Sequence, residues 1–212
     1  MKRLLIFCTL LITNYSFAEP RITYMDLGLN YGSLQTPNTD YSPNSYQKAK
    51  SHDVGGLGFD INVGYLFDSY QFSIAPEWRL GVEAGYHQFA DNTYTYGNSF
   101  SSSSDNEIKY SSYALSFLGV LRYQDDNHWL AFFKSGVARV TQSLKTTSSS
   151  YNETPSKAGF NPQFVLGGGY QLTRSINVDA SYNYIMGKQP NVGNNNTIAP
   201  VSYLAFSLGY SF

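Results

Sequence analysis

Residues 57–67 read Leu57-Gly58-Phe59-Asp60-Ile61-Asn62-Val63-Gly64-Tyr65-Leu66-Phe67. Every odd position is apolar, whereas the even positions are mostly glycine, aspartate or asparagine. Successive side chains of a β-strand point to opposite faces, so one face of this segment is apolar and the other is polar. The pattern predicts a strand whose outer side meets lipid and whose inner side meets a polar lumen.

Other parts of the chain repeat the alternation with varying clarity. These seven segments are 22–31, 77–88, 112–123, 129–139, 162–172, 176–185 and 203–212. Together with residues 57–67 they give an even number of strands, as bacterial outer-membrane barrels require. Short connections near 124–127 and 173–175 alternate with long ones such as 32–53 and 90–110, and in such barrels the short turns face the periplasm. The predicted fold is therefore all-β, an eight-stranded antiparallel up-and-down transmembrane β-barrel.

The N-terminal segment has the three parts of a secretory signal peptide. Lys2 and Arg3 precede a largely apolar run at 4–12, and Ser16-Phe17-Ala18 supplies small residues for cleavage. We therefore expect residues 1–18 to be removed and residues 19–212 to form an exported barrel domain in the bacterial outer membrane. The single cysteine, Cys8, lies in the expected signal, which excludes disulfides and a thiol nucleophile from the mature chain.

The composition separates the chain from other protein classes. Aromatic residues make up 17% and charged residues 14%, while the mean hydropathy is −0.30. After the signal, no segment approaches the roughly 18 consecutive apolar residues of a membrane helix. Three dispersed histidines indicate no metal site, and neither a glycine-rich phosphate loop nor a basic patch is present. We expect no cofactor, no metal and no nucleic-acid partner.

The last strand carries the most specific signal. Leu204, Phe206, Leu208, Tyr210 and the terminal Phe212 occupy alternate positions. A closing strand of this kind resembles the sequence that outer-membrane barrels present to the barrel-assembly machinery. The resemblance implies an assembly signal at Leu208, Tyr210 and Phe212, with that machinery as a partner.

Glycine–aromatic segments extend the resemblance to the OmpA-like outer-membrane β-barrel family and related small surface-antigen barrels. These segments are 57–59, 80–86, 133–138 and 167–170, and their order and spacing cover essentially all of 19–212. The resemblance implies an integral membrane protein that contacts outer-membrane lipids and lipopolysaccharide. Because the sequence ends at the eighth strand, we expect no peptidoglycan-binding domain of the full-length OmpA type.

Nearly all strand charges fall on the inner face when the apolar face of each strand is assigned to lipid. They are Asp26, Asp60, Glu77, Arg79, Glu83, Arg122, Lys134 and Asp179. An Arg or Lys on the lipid face near mid-membrane would cost about 2–4 kcal/mol, which supports this register. Eight strands leave a lumen just wide enough for side chains, so we expect the charges to plug it as ion pairs. The resemblance keeps open the alternative of a small ion-conducting porin, in which these pairs rearrange as a gate.

The long loops are of low complexity, with serine runs at 101–104 and 148–150 and an asparagine run at 194–196. Such segments cannot bury a core of their own and are expected to be solvated. Tyrosines interspersed with Ser, Gly and Asn are also typical of binding loops. The sequence therefore favours a structural surface protein whose loops are available for adhesion to host surface molecules.

A barrel-type lipid A-modifying hydrolase is the competing class. Ser51-His52-Asp53 has the residue types of a triad, but neighbours in an extended loop point in different directions and cannot form the relay. His87 lies near the outer rim beside no obvious nucleophile. The segment 187–193 looks faintly like the lipid A deacylases, but Tyr182-Asn183-Tyr184 stands where their His-x-Ser motif would be. We therefore expect no enzyme activity.

Deleting Phe212 should reduce the folded population, because the last residue completes the implied assembly signal. The measurement is the amount of heat-modifiable, protease-resistant barrel in the outer membrane. If the shortened protein accumulates as folded barrel at the normal level, Phe212 is not part of an assembly signal.

Overall fold

The computed structural model describes residues 22–34, 51–53, 55–67, 78–96, 106–148, 151–153, 156–187 and 198–212. The expected signal peptide and Glu77 lie outside these ranges. The described strands are β1 (Ile22–Leu34), β2 (Ser51–Asp53), β3 (Gly56–Leu66), β4 (Trp78–Gln88), β5 (Asn92–Tyr96), β6 (Asn106–Gln124), β7 (Trp129–Ser148), β8 (Tyr151–Glu153), β9 (Ser156–Gln171), β10 (Ile176–Ile185) and β11 (Val201–Ser211). No helix of the described residues is long and apolar enough to cross a membrane.

Eight of these strands form a closed antiparallel ring in the order β1, β3, β4, β6, β7, β9, β10, β11. The ring closes between the first and last strands, where Leu27 is the partner of Leu208. Closure leaves no unpaired edge within the ring, which is the requirement for a sheet that spans lipid. The predicted eight-stranded antiparallel barrel is confirmed.

Strand β3 shows why the alternating sequence produces this fold. Leu57, Phe59, Ile61 and Val63 point outward and are exposed on the isolated chain, whereas Asp60 between them is 3% exposed. The same alternation continues around the ring, with Leu29, Phe117 and Phe206 among the large apolar side chains on the outside. An apolar exterior and a polar interior are the arrangement that a barrel in lipid needs.

Several strands are longer than the sequence pattern predicts. Strands β6 and β7 pair without interruption. Gln124 is the partner of Leu130 at one end, and Glu107 is the partner of Thr147 at the other. Short strands β2, β5 and β8 lie in segments expected to be loops, so Ser51–Asp53 is a strand paired with β5 rather than an extended loop. These extensions lack a clear apolar alternation. They form strands because main-chain hydrogen bonding does not need that alternation, and because Thr and Tyr favour strands.

The short connections lie at one end of the barrel. In the turn after β6, Asp125 Oδ1 accepts a hydrogen bond from Trp129 N at 2.7 Å, and His128 has a positive φ of 70°. The chain termini of the barrel meet at this same end, where Phe212 N donates to Thr23 O at 2.9 Å. This is the end that faces the periplasm in bacterial barrels.

Aromatic rings surround the periplasmic end. The chain has two tryptophans, and both lie here, Trp78 at the start of β4 and Trp129 at the start of β7. Trp78 packs against Tyr123 with ring centroids 5.1 Å apart, and Trp129 packs edge-on against Tyr170 at 5.3 Å. Such rings form the interfacial girdle of a membrane barrel.

Candidate functional site

The lumen is the candidate site, because the inner face of the ring gathers the predicted charges. Asp26, Asp60, Glu83 and Lys134 are buried there, at 5%, 3%, 2% and 8% exposure. Arg122 and Asp179 are partly buried, each on the inner face of its strand. Arg79 is the register partner of Arg122 and shares that face.

Glu83 is the centre of the network. Its Oε2 accepts hydrogen bonds from Lys134 Nζ at 2.5 Å and from Tyr24 OH at 2.7 Å. Lys134 lies on β7 and Tyr24 on β1, and each of those strands is separated from β4 by one other strand. The ion pair and its tyrosine therefore connect three non-adjacent parts of the wall across the lumen.

A second group of polar residues lies towards the periplasmic end. The guanidinium of Arg122 lies 5.9 Å from the centre of the Tyr24 ring, within cation–π range. Asp179 accepts a hydrogen bond from Asn177 two residues earlier on β10. Arg122 Nε and Asp179 Oδ1 are buried and have no hydrogen-bond partner among the described residues. The sequence predicted that Arg122 and Asp179 share the lumen, but it did not predict their contacts with Tyr24 and Asn177.

Apolar layers fill the lumen above and below the charges. The outer layer contains Phe89, Ala114, Ala138, Val140, Ile185, Ala199, Val201, Tyr203 and Ala205. Tyr24, Leu66 and Val120 pack together at the periplasmic end. Between the layers lies a cavity of about 20 Å³ lined by Asp26, Glu83, Lys134 and others. A polar space of this size is large enough for one water molecule.

His87 forms a hydrogen-bonded relay that the sequence analysis missed. His87 Nδ1 lies 2.8 Å from Asp60 Oδ1, and His87 Nε2 lies 2.8 Å from Ser116 Oγ. A carboxylate only accepts, so we assign the proton to Nδ1, which leaves Nε2 to accept the Ser116 hydroxyl proton. All three residues are buried. The expectation that His87 has no nucleophile beside it is therefore wrong.

The residues of this relay come from three consecutive strands of the ring. Asp60 and His87 are register partners between β3 and β4, and Ser116 on β6 is the partner of Gly85. The alternation alone could have placed all three residues on the inner face. Asp60 was assigned there, His87 is an even number of residues from Glu83, and Ser116 is an even number of residues from Arg122. It could not give the register between strands, which decides which inner residues touch.

The structure places the other predicted residues as follows. Leu208, Tyr210 and Phe212 lie on the outer face, and the rings of Tyr210 and Phe212 pack edge-on at 4.9 Å. Their assembly role stays a prediction.

Among the described residues, no group of three or more His, Cys, Asp or Glu side chains could hold a metal ion.

The chain matches the outer membrane protein beta-barrel domain family over residues 5–212. It belongs to this family. The protein is thus an outer-membrane barrel of a bacterium, as its apolar exterior requires. No curated protein matches the chain.

Solved structures support the same fold for this outer-membrane barrel. OprG from Pseudomonas aeruginosa is 15% identical with a TM-score of 0.54, over 91% of this chain and 96% of that chain. Ail, the attachment invasion locus protein of Yersinia pestis, solved in complex with the heparin analogue sucrose octasulfate, is 14% identical with a TM-score of 0.51, over 91% of this chain and 99% of that chain. At these identities the likeness concerns the fold alone.

Lys134→Met should destabilise the barrel by about 3–5 kcal/mol, because it leaves the Glu83 carboxylate buried without its cation. Adding Glu83→Gln to that variant should restore part of the loss, since the stranded charge is then removed. The measurement is the folded fraction across a urea series, read from gel mobility without heating. A double variant less stable than Lys134→Met alone would contradict a direct coupling between the two residues.

Proposed function

We propose that the protein is a surface-display barrel with a sealed lumen. The observation that carries this proposal is the Glu83 hub, which joins β1, β4 and β7 across the lumen. Apolar layers lie on both sides of it, and the cavity between them measures about 20 Å³. A hydrated ion needs a continuous aqueous path, and an eight-stranded ring leaves little room beyond its own side chains.

Display is supported by the outer ends of β6 and β7. Both strands continue well past the exposed apolar residues Tyr113 and Val137, so their outer ends would project beyond the apolar band that lies in the membrane. A transmembrane strand needs only about 9–11 residues, whereas β6 has 19 and β7 has 20. In this proposal the tyrosine- and serine-rich stretches of the sequence are the part of the protein that host surface molecules bind.

Anionic polysaccharide is the class of host molecule to test first. Ail, which shares the fold, was solved with a heparin analogue. In this chain Lys109 and Lys145 are register partners near the outer end, and like charges placed opposite each other are unfavourable. Asp91 compensates Lys109 at 2.7 Å, and a bound sulfate would compensate the pair further.

Lys145→Cys should react with a membrane-impermeant maleimide on intact cells, because Lys145 is exposed near the outer end of β7. The matched control is Arg174→Cys, in the exposed turn at the periplasmic end, which should react only after the outer membrane is permeabilised. The reverse pattern would invert the topology and remove the display role.

Lys145→Glu cells, assayed for attachment to immobilised heparin, should bind more weakly than wild-type cells if anionic polysaccharide is the ligand class.

The purified barrel in a planar bilayer should show only small or rare conductance events. The double variant Glu83→Ala, Lys134→Ala removes the central pair without stranding a charge, and it should raise the frequency of these events. Leu204→Ala, on the lipid-facing side, serves as the control and should leave conductance unchanged. A stable, large wild-type conductance that also passes small sugars would show a true porin instead.

A further inference from the structure

A groove crosses the lipid-facing wall of the barrel towards its periplasmic end. It encloses about 360 Å³ and, among the described residues, is open on its outer side. Because the outer face of the barrel meets lipid, hydrocarbon and not water surrounds the groove. The outward-facing residues that line it are Phe67, Leu80, Gly119, Leu121, Phe133 and Ser135.

Two small residues form the floor of the groove. Gly119 on β6 and Ser135 on β7 are register partners, and both lie on the outer face of their strands. The outward-facing pairs on either side of them are large, Phe117 with Val137 and Leu121 with Phe133. A depression therefore lies between two ridges of large apolar side chains.

The fold does not require a glycine at position 119. An added Cβ there would meet Ser135 O at 3.7 Å, an ordinary van der Waals distance, whereas at Gly81 and Gly136 it would lie 2.4 Å and 2.2 Å from main-chain oxygens. The register also runs without interruption through Gly119 on both sides, so the glycine marks no bulge. A glycine inside a strand weakens it, and it often marks a place where a ligand approaches. The space at Gly119 is thus available to a ligand from outside the wall.

The groove climbs from the membrane surface into the hydrocarbon. Phe67 directly follows the last residue of β3, and its N donates to Leu80 O at 2.8 Å. At the other end, Ser135 lies six residues beyond Trp129, the first residue of β7. With a rise of about 3.4 Å per residue and a strand tilt of about 40°, this end lies about 15 Å above the periplasmic girdle. The apolar band is about 25 Å tall, so the groove spans its periplasmic half.

We propose that this groove binds one acyl chain of a diacyl phospholipid from the periplasmic leaflet. The slope of the groove suits a linear chain whose headgroup lies at the aromatic girdle, where Trp78 packs against Tyr123. Inside a bilayer the affinity comes from van der Waals packing, and a chain in a groove makes more contacts than a chain on a ridge. The site lies on the outer wall and does not depend on the lumen or on the display role.

A second copy of the barrel is the competing occupant, because a large side chain of a neighbouring wall could enter the depression at Gly119. Such a side chain would fill the floor but not the part of the groove between Leu80 and Phe67, which extends to the strand end. An acyl chain occupies both parts at once. The described lining contains no charged side chain, which also suits a hydrocarbon ligand.

Native mass spectrometry tests the proposal on the folded barrel, reconstituted into vesicles of phosphatidylethanolamine and phosphatidylglycerol and then extracted into a mild detergent. The wild type should retain one phospholipid per barrel. Gly119→Leu fills the floor of the groove without a clash and should lower the retained fraction about 10-fold. The matched control is Ala180→Leu, which adds the same side chain at an exposed position on β10, away from the groove, and should leave retention unchanged. Gel mobility without heating verifies that each variant is folded.

Phosphatidylethanolamine with a diazirine in the middle of one acyl chain locates the contact by photo-crosslinking in the same vesicles. Peptide analysis should place the adducts of the wild type around Gly119 and Ser135, and Gly119→Leu should remove this preference. The proposal is overturned if Gly119→Leu retains as much phospholipid as the wild type, or if the wild-type adducts are spread evenly around the ring. It is also overturned if the wild type is a dimer that Gly119→Leu converts to a monomer, because a second barrel then occupies the groove.

Discussion

Closure of the ring is the constraint on which the rest of the structure depends. Inside a bilayer every backbone N–H and C=O must be paired by the protein itself, and β1 and β11 meet that demand by pairing continuously from Tyr24 with Ser211 to Leu34 with Val201. A ring of eight strands has little interior volume, so its inner side chains must fill it and satisfy one another. The buried charges, the apolar layers and the small cavity all follow from this geometry.

The charged side chains of the lumen are paired with donors from the barrel wall. Glu83 receives hydrogen bonds from both Lys134 and Tyr24, which offsets the desolvation of its carboxylate. Asp60 is satisfied in the same way by Asn30 and His87. Glu83 and Asp60 are thus compensated by donors that come from different strands, and each such contact also fixes the relative position of those strands.

The sequence predicted the fold and the inward direction of the charges, because both depend on a period of two that is visible along each strand. The sequence did not predict the contact between Asp60, His87 and Ser116, because that contact depends on the register between strands. It also failed for the extended ends of β6 and β7, because main-chain pairing there continues through residues with no apolar alternation. The pairing of Glu83 with Lys134 could not be predicted for the same reason, because five acids and three bases were assigned to the inner face and the alternation does not show which of them meet.

The two tryptophans have a consequence for optical experiments. Because Trp78 and Trp129 both lie at the periplasmic end, each beside a tyrosine, their emission reports the environment of that rim and of no other depth in the membrane. The outer half of the barrel, with its apolar layer around Phe89 and Tyr203, is spectroscopically silent in the tryptophan band. Fluorescence quenchers placed at known depths in the bilayer would therefore time the insertion of the periplasmic edge of the barrel. A tryptophan introduced at Phe160, an exposed residue near the outer end of β9, would be needed to time the outer edge.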